Sequence, residues 1–249
     1  MIKEISSLKN EIIKYAYKLK DASFSKKENK LIIESEHLIE MAKDELIEVF
    51  VLKPMKLDNK ITQYIVSKEI MEKLSSGKSP AKVIGIINST IKTIDRNSNI
   101  LVYLDNIQDP GNVGTILRSA LAFGFKDIIL SDDTASIFNS KVIQASQGSI
   151  FKLNVSIENK SVIKSLKEDG YKIISTSLGK DTININDFNQ LPPKMVLLFG
   201  NEGNGICEEL LKISDSRIFI SINSIDSLNV GVAAGIVFYK IKNIDPRLR

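Results

Sequence analysis

Residues 104–125 read LDNIQDPGNVGTILRSALAFGF, a stretch in which an apolar run, a turn and a helix follow one another. An apolar strand is expected at residues 100–104, breaking into the turn-forming string Asp105 to Asn112. A helix is expected at residues 114–122, carrying one charge, Arg118, in its second turn. A strand, a permissive loop and a helix start together make a place where α/β proteins hold ligands. A lone arginine there asks for a partner.

Two later stretches bear on that question. Residues 199–206 read FGNEGNGI, an apolar strand at 195–199 running through Gly200, Glu202, Gly203 and Gly205 into a helix expected at 206–211. Three glycines in six residues allow backbone to approach a ligand closely. The G-x-x-G-x-G spacing is not that of a dinucleotide loop, and no Gly-Lys-Ser/Thr marks a P-loop. Glu202 would repel a phosphate and suits a ligand bearing donors or positive charge; a tight strand-to-helix turn is the plainer reading. Residues 226–236 read DSLNVGVAAGI. Ser227 and Asn229 flank a helix start, expected to run over 229–241, where either can cap free backbone N–H groups. Gly231, Ala234 and Gly235 strip one helix face of bulk despite the cost of about 1 kcal/mol for an interior glycine. Another backbone is expected against that face, either the sheet or a second subunit.

The remaining pattern alternates strands and helices. In the first third, a helix is expected from Ile5 through Leu8, Ile12, Tyr15, Ala16 and Leu19, with Lys14 and Lys18 on its outer face. A basic turn at 25–30, holding Lys26, Lys27 and Lys30, is followed by strands at 31–34, 48–52, 63–66 and 82–87. Helices at 37–42 and 68–74 and a loop at 75–80 complete a small α/β domain. His37 reads as a cap or surface residue rather than a catalytic one. Residues 88–99 are polar and aperiodic, as in a connection between domains. Beyond them, further strands at 127–130, 152–155, 172–175 and 217–220 and helices at 141–146 and 162–168 imply a mostly parallel sheet covered on both faces.

Composition narrows the class. The 249 residues are 43% apolar and 26% charged, the balance of a folded domain. One cysteine and one histidine provide neither a disulfide nor a zinc ligand set, so no metal is expected. The first residues mix Lys3 and Glu4 without the apolar run of a signal peptide, and no segment reads as membrane-spanning; a reducing cytoplasmic setting is expected. The net charge is +4, and residues 1–92, with 17 basic against 13 acidic groups, carry all of it. That excess fits a polyanionic partner or a solvated lysine-rich surface.

The three stretches, in this order, resemble the three motifs of the SpoU (TrmH) family of RNA ribose methyltransferases. Asp109, Pro110, Asn112, Gly114 and Arg118 match Asp-Pro-x-Asn-x-Gly-x-x-x-Arg. Gly200, Glu202 and Gly203 match Gly-x-Glu-Gly, and Ser227 to Val230 with Val232 and Ala233 match Ser-Leu-Asn-Val-x-Val-Ala. The third motif departs from the family form: the family has Ile-Pro and then Gly before it, where this chain reads Ile220-Ser221-Ile222-Asn223-Ser224.

The resemblance implies a mostly parallel α/β catalytic domain at residues 100–249 with a C-terminal trefoil (SPOUT) knot, acting as a homodimer and binding S-adenosylmethionine. It implies catalytic roles for Arg118, Asn112, Glu202, Ser227 and Asn229, and cofactor contacts from Gly200, Glu202, Gly203, Ile220, Leu228 and Asn229. Residues 1–90 resemble the L30e-like substrate-binding domain that precedes many such catalytic domains, through Lys30 to Glu34 with Glu36, His37 and Leu38, and through residues 80–87; residues 91–99 would then be the linker. RNA contacts are expected at Lys14, Lys18, Lys26, Lys27, Lys30 and Arg118. The implied reaction is methylation of a ribose 2′-hydroxyl in structured RNA, with 23S rRNA favoured over tRNA and an inactive RNA-binding relative as the rival reading.

Overall fold

The computed structural model describes residues 1–77, 79–89, 91–179 and 181–248. Lys78 of the expected loop and Thr90 beside the expected linker therefore lie outside the described residues. The chain forms two compact units, Met1–Thr90 with Ser136–Phe151, and Ile91–Ala135 with Lys152–Arg249.

The first unit runs β1 (Ile2–Ile5), α1 (Glu11–Lys18), α2 (Ala22–Glu28), β2 (Lys30–Glu34), α3 (Glu36–Met41), β3 (Leu46–Val51), β4 (Thr62–Val66), α4 (Lys68–Leu74) and β5 (Val83–Asn88). Its sheet has the order β1-β4-β3-β5-β2, with β1, β4 and β3 parallel and β5 antiparallel to both neighbours. Ile5 lies in a strand rather than a helix. Helix α1 starts only after Asn10, whose side chain accepts from Ile12 N at 2.9 Å. Ile5 still joins the core with Ile13, Ala16 and Leu19, so a run of core-facing residues crossing a strand and a helix imitated one period. The expected basic turn is helix α2. Asp21 caps it by accepting from Phe24 N at 2.8 Å, and Asn29, in the left-handed region at φ 52°, ends it.

The second unit contains β6 (Ile100–Asp105), α5 (Pro110–Ala122) and β7 (Asp127–Leu130). After α6 (Ser140–Ser146), which clusters with the first unit, it continues β8 (Asn154–Ile157), α7 (Ser161–Glu168), β9 (Lys172–Thr176), β10 (Ile183–Asn184), β11 (Met195–Gly200), α8 (Glu208–Ile213), β12 (Ser216–Phe219) and α9 (Val230–Ile244). Seven strands pair in the order β10-β12-β9-β11-β6-β7-β8, every pair parallel. One sheet face (Leu101, Tyr103, Val196, Leu198) packs with Val162 and Leu166 of α7 and Leu210 of α8. On the other, Phe238 of α9 meets Phe199 and Phe125 at ring distances of 5.3 and 4.5 Å. Period-two alternation along buried strands fixes this split.

Several boundaries move for local reasons. Helix α5 starts at Pro110, four residues early, because Asp109 accepts from Asn112 N at 2.9 Å and proline suits the first helical position. The strand expected at 152–155 begins later, after a 3₁₀ turn at Ser149–Lys152. Ile91 is tied down as a parallel bridge to Val155. The two-residue β10 was not anticipated.

Helix α9 is fixed at its far end by an ion pair between buried Asp245 and the more exposed Arg247. The Asp245 carboxylate, 1% exposed, accepts from Arg247 Nε at 2.8 Å and Nη2 at 2.6 Å, and the guanidinium also reaches the Pro192 and Pro193 carbonyls. Burial alone would raise the Asp245 pKa, but the Arg247 side chain and N–H outweigh it and hold the carboxyl below its usual range. The pair therefore stabilises the fold above the ordinary carboxylate pKa, and the contribution fades as pH falls through the depressed folded value. Arg247→Met should cost about 3 kcal/mol in urea unfolding at neutral pH. The gap to wild type should begin to narrow below about pH 4 and close further as pH falls through the depressed folded value.

Candidate active site

In the second unit the loops after β9, β11 and β12 leave the carboxyl ends of parallel strands, where such sheets place ligands. They enclose a cavity of about 510 Å³ lined by residues 176–178, 200–206, Phe219, Ile220, Ile222 and 226–228 with residues of α9. That is the size of a small-molecule site.

The loop after β11 is a closed turn. Asn201 and Gly205 exchange backbone hydrogen bonds of 2.9 Å in both directions, and the Asn201 side-chain oxygen accepts from Gly203 N and Asn204 N at 2.9 and 3.1 Å. Its amide donates to Asn106 O at 2.8 Å, tying this loop to the one after β6. Gly200 is required by space, since a Cβ there would lie 2.2 Å from Ile206 N. Asp105, 3% exposed, accepts from Cys207 N at 2.8 Å and anchors the loop's exit. Neither Asn201 nor Asp105 was singled out from the sequence; the Asn-Glu-Gly-Asn-Gly string is the signal, because asparagine side chains commonly bond backbone two residues on.

Three motif residues meet in one hydrogen-bonded chain. Asn229 Nδ2 donates to Asn112 Oδ1 at 2.8 Å, and Asn112 Nδ2 donates to Glu202 Oε1 at 2.7 Å. Asn229 Oδ1 caps α9 by accepting from Gly231 N and Val232 N at 2.9 and 3.3 Å. The bare face of α9 receives α5: a Cβ on Gly231 would come within 3.0 Å of Thr115, and Gly235 faces Ser119. The neighbour of that face is thus helix α5 of the same chain, through Thr115 and Ser119, and not the expected sheet or second subunit.

Of the expected residues, Gly200, Glu202, Gly203, Ile220, Ser227 and Leu228 line the cavity. Asn112 and Asn229 join it through Glu202 rather than as lining. Arg118 lies six residues beyond Asn112 on α5, about 9 Å along the axis. It is exposed and makes no hydrogen bond or ion pair among the described residues. Among the described residues the cavity lining carries two carboxylates, Glu202 and Asp226, and no Lys or Arg, so it suits a neutral or cationic guest. The buried Ser177 hydroxyl in its wall has no partner among the described residues. Residues 176–178 were missed as site residues because nothing in their composition marks them. In the loop after β12, Ser224 adopts φ 66°, the left-handed conformation that glycine takes most easily.

The lysines expected at RNA belong to the first unit. Lys14 pairs with Glu11 at 2.7 Å, Lys18 sits over Phe24 and Lys30 over Tyr15, and Lys26 and Lys27 lie in the last turn of α2. His37, exposed, places Nε2 3.1 Å from Gln147 O, a surface contact.

Residues 99–239 match the SpoU rRNA Methylase family. The chain is 31% identical, over 97% of its length and 100% of the other's, to the 23S rRNA (guanosine(2553)-2′-O)-methyltransferase RlmP of Bacillus subtilis. It is 29% identical, over 71% of its length and 68% of the other's, to the 23S rRNA (adenosine(1067)-2′-O)-methyltransferase of Streptomyces azureus. The AdoMet-bound rRNA methyltransferase of Sinorhizobium meliloti shares the fold, with a TM-score of 0.89 at 24% identity over 97% of this chain and 98% of that one.

The two duties of Asn229 separate by substitution. Asn229→Ala should lose about 1 kcal/mol in chemical unfolding, the worth of a helix cap. Asn229→Asp should keep the cap and most of the stability while losing the donor to Asn112. Equal stability losses in the two variants would contradict this division.

Proposed function

This chain belongs to the SpoU rRNA methylase family, and from that premise we propose that it transfers a methyl group from S-adenosylmethionine to a ribose 2′-hydroxyl of 23S rRNA. The observation that carries the reading is the Glu202–Asn112–Asn229 chain, which joins all three motifs at the edge of one anionic cavity. The cavity's chemistry fits the cofactor. Leu178, Ile206 and Leu228 offer apolar walls for an adenine ring, the turn at 200–205 offers backbone groups, and the orphaned Ser177 hydroxyl awaits a polar partner. Glu202 and Asp226 complement a positive charge. When bound, the cofactor supplies a methyl group already activated on a sulfonium sulfur.

The protein's part is then orientation and charge. Asn112 and Asn229 hold Glu202 in place beside the cavity, and the exposed, unpaired Arg118 is available to the substrate. An arginine stays protonated, so Arg118 grips the adjacent phosphate and stabilises negative charge building on the ribose oxygen. Ser227 lies at the cavity mouth beside the cap of α9. Residues 1–90, which carry excess positive charge within the first unit, dock the RNA as an L30e-like module. A trefoil knot in the region of β11, β12 and α9 accords with the path of the chain, which crosses beyond β9 to β12 and returns along β11 with α9. An rRNA target implies work in the cytoplasm.

A homodimer through the second unit is supported by α9, whose Val232, Ile236 and Tyr239 form an exposed apolar stripe at helical spacing, with Phe123 edge-on to Tyr239. Replacing Val232 and Tyr239 with glutamate should halve the mass seen by light scattering; an unchanged mass would place the interface elsewhere.

Activity is tested with radiolabelled S-adenosylmethionine on 23S rRNA and tRNA lacking 2′-O-methyl groups. Arg118→Ala should lower turnover by about 10²–10³-fold while leaving cofactor binding by calorimetry intact. Gly200→Ala should abolish that binding. Transfer to tRNA alone would reassign the substrate, and cofactor binding without transfer to either RNA would favour an inactive RNA-binding relative.

A further inference from the structure

The first unit carries a surface of aromatic rings and lysines that charge-based docking of RNA leaves only partly used: its rings have no task there. Tyr17, near the end of α1, is 48% exposed, and the ammonium groups of Lys20 and Lys73 each lie 5.5 Å from its ring centroid. On the other flank of α1, Lys30 lies 5.4 Å from the Tyr15 ring and Lys18 5.9 Å from Phe24, the two rings meeting edge to face at 5.8 Å. At about 100° per residue, Tyr15, Lys18, Lys14 and Tyr17 succeed one another around the outer face of the helix.

The charge of this face is not balanced locally. Residues 9–30 hold seven lysines against Glu11, Asp21 and Glu28, a net of +4 that equals the charge of the whole chain. All three carboxylates are engaged: Glu11 with Lys14 at 2.7 Å, Glu28 with the Tyr15 hydroxyl at 3.0 Å, and Asp21 as the cap of α2. Lys18, Lys20, Lys30 and Lys73 have no carboxylate partner among the described residues; Lys20 donates to Ser75 O at 2.7 Å. A cation over an exposed ring gains only about 0.5–1 kcal/mol, and two ammonium groups over one ring repel each other. An anion beside the ring relieves that repulsion, and the lysines can swing to it and leave the ring free.

We propose that the Tyr17–Lys20–Lys73 cluster is a docking site for an unpaired RNA segment, one nucleobase stacking on Tyr17 and the flanking phosphates held by Lys20 and Lys73. This rests on the RNA reading above and extends it to a strand state. A duplex hides its base faces, and an acidic peptide offers charge without a flat ring, so neither uses Tyr17. Stacking on aromatic side chains together with phosphate pairing is how single strands are generally held.

The test measures anisotropy of a short fluorescein-labelled oligouridylate, a matched RNA duplex and an oligoglutamate on the full chain, alongside cofactor calorimetry and methyl transfer to 23S rRNA. Wild type should prefer the single strand. Tyr17→Ala should weaken that binding about tenfold, and Tyr17→Trp should retain it with unchanged cofactor affinity, which also verifies folding. Lys20→Gln with Lys73→Gln should reduce the salt dependence by about 0.7 in log–log slope for each phosphate no longer neutralised. Tight binding of duplex or oligoglutamate that ignores Tyr17, or equal single-strand affinity in Tyr17→Ala, overturns the proposal even when methyl transfer proceeds. Loss of transfer in wild type with Tyr17-dependent strand binding intact would sink the reaction assignment and leave this site standing.

Discussion

The Glu202–Asn112–Asn229 chain has only one workable polarity. A carboxylate can only accept at one end, and the N–H groups of α9 can only donate at the other. Those two fixed ends orient both amides between them: Asn112 must turn its nitrogen to Glu202, and Asn229 its nitrogen to Asn112. Three segments distant in sequence, the start of α5, the turn after β11 and the start of α9, are thereby held in one register. The parallel sheet makes this possible, because it delivers β6 and β11 side by side with their loops at the same end.

Small residues do the complementary work. Gly231 lets α9 lie close on Thr115 of α5, so that Asn229 and Asn112 come within hydrogen-bond reach. Gly200 lets the turn after β11 close on itself, and Asp105 anchors its exit through Cys207 N. The aromatic trio Phe125, Phe199 and Phe238 holds α9 against the sheet from beneath. Stability and site geometry therefore depend on the same packing, and changes in this region are expected to affect both.

Much of this was legible in the sequence, because glycine spacing and cap residues report backbone geometry directly. The parallel α/β sheet and the close approach at Gly231 follow from such local rules. What escaped was set by neighbours. Ile5 belongs to a strand whose core-facing side happens to continue the period of α1. Pro110 opens a helix because Asp109 caps it, though the same residues read equally as a turn. Asn201 and residues 176–178 become site residues only when β9, β11 and β12 bring their loops together. The resemblance to a known family named the motif residues, but not the bond order that links Asn112 to Glu202 and Asn229.

The distribution of charge carries the last step. A cavity lined by Glu202 and Asp226, with no cation among the described residues, is a poor place for RNA, yet the proposed reaction needs a ribose beside it. Arg118, exposed and without a partner among the described residues, supplies the positive charge on the motif helix, while the lysines of residues 9–30 supply it in the other unit. Anionic and cationic groups assigned to different parts of one chain can bind a cationic cofactor and a polyanionic substrate without either competing for the other's site. An arginine engaged by Glu202 would serve neither. Glu202 is engaged by the Asn112 amide, and Arg118 pairs with no carboxylate among the described residues.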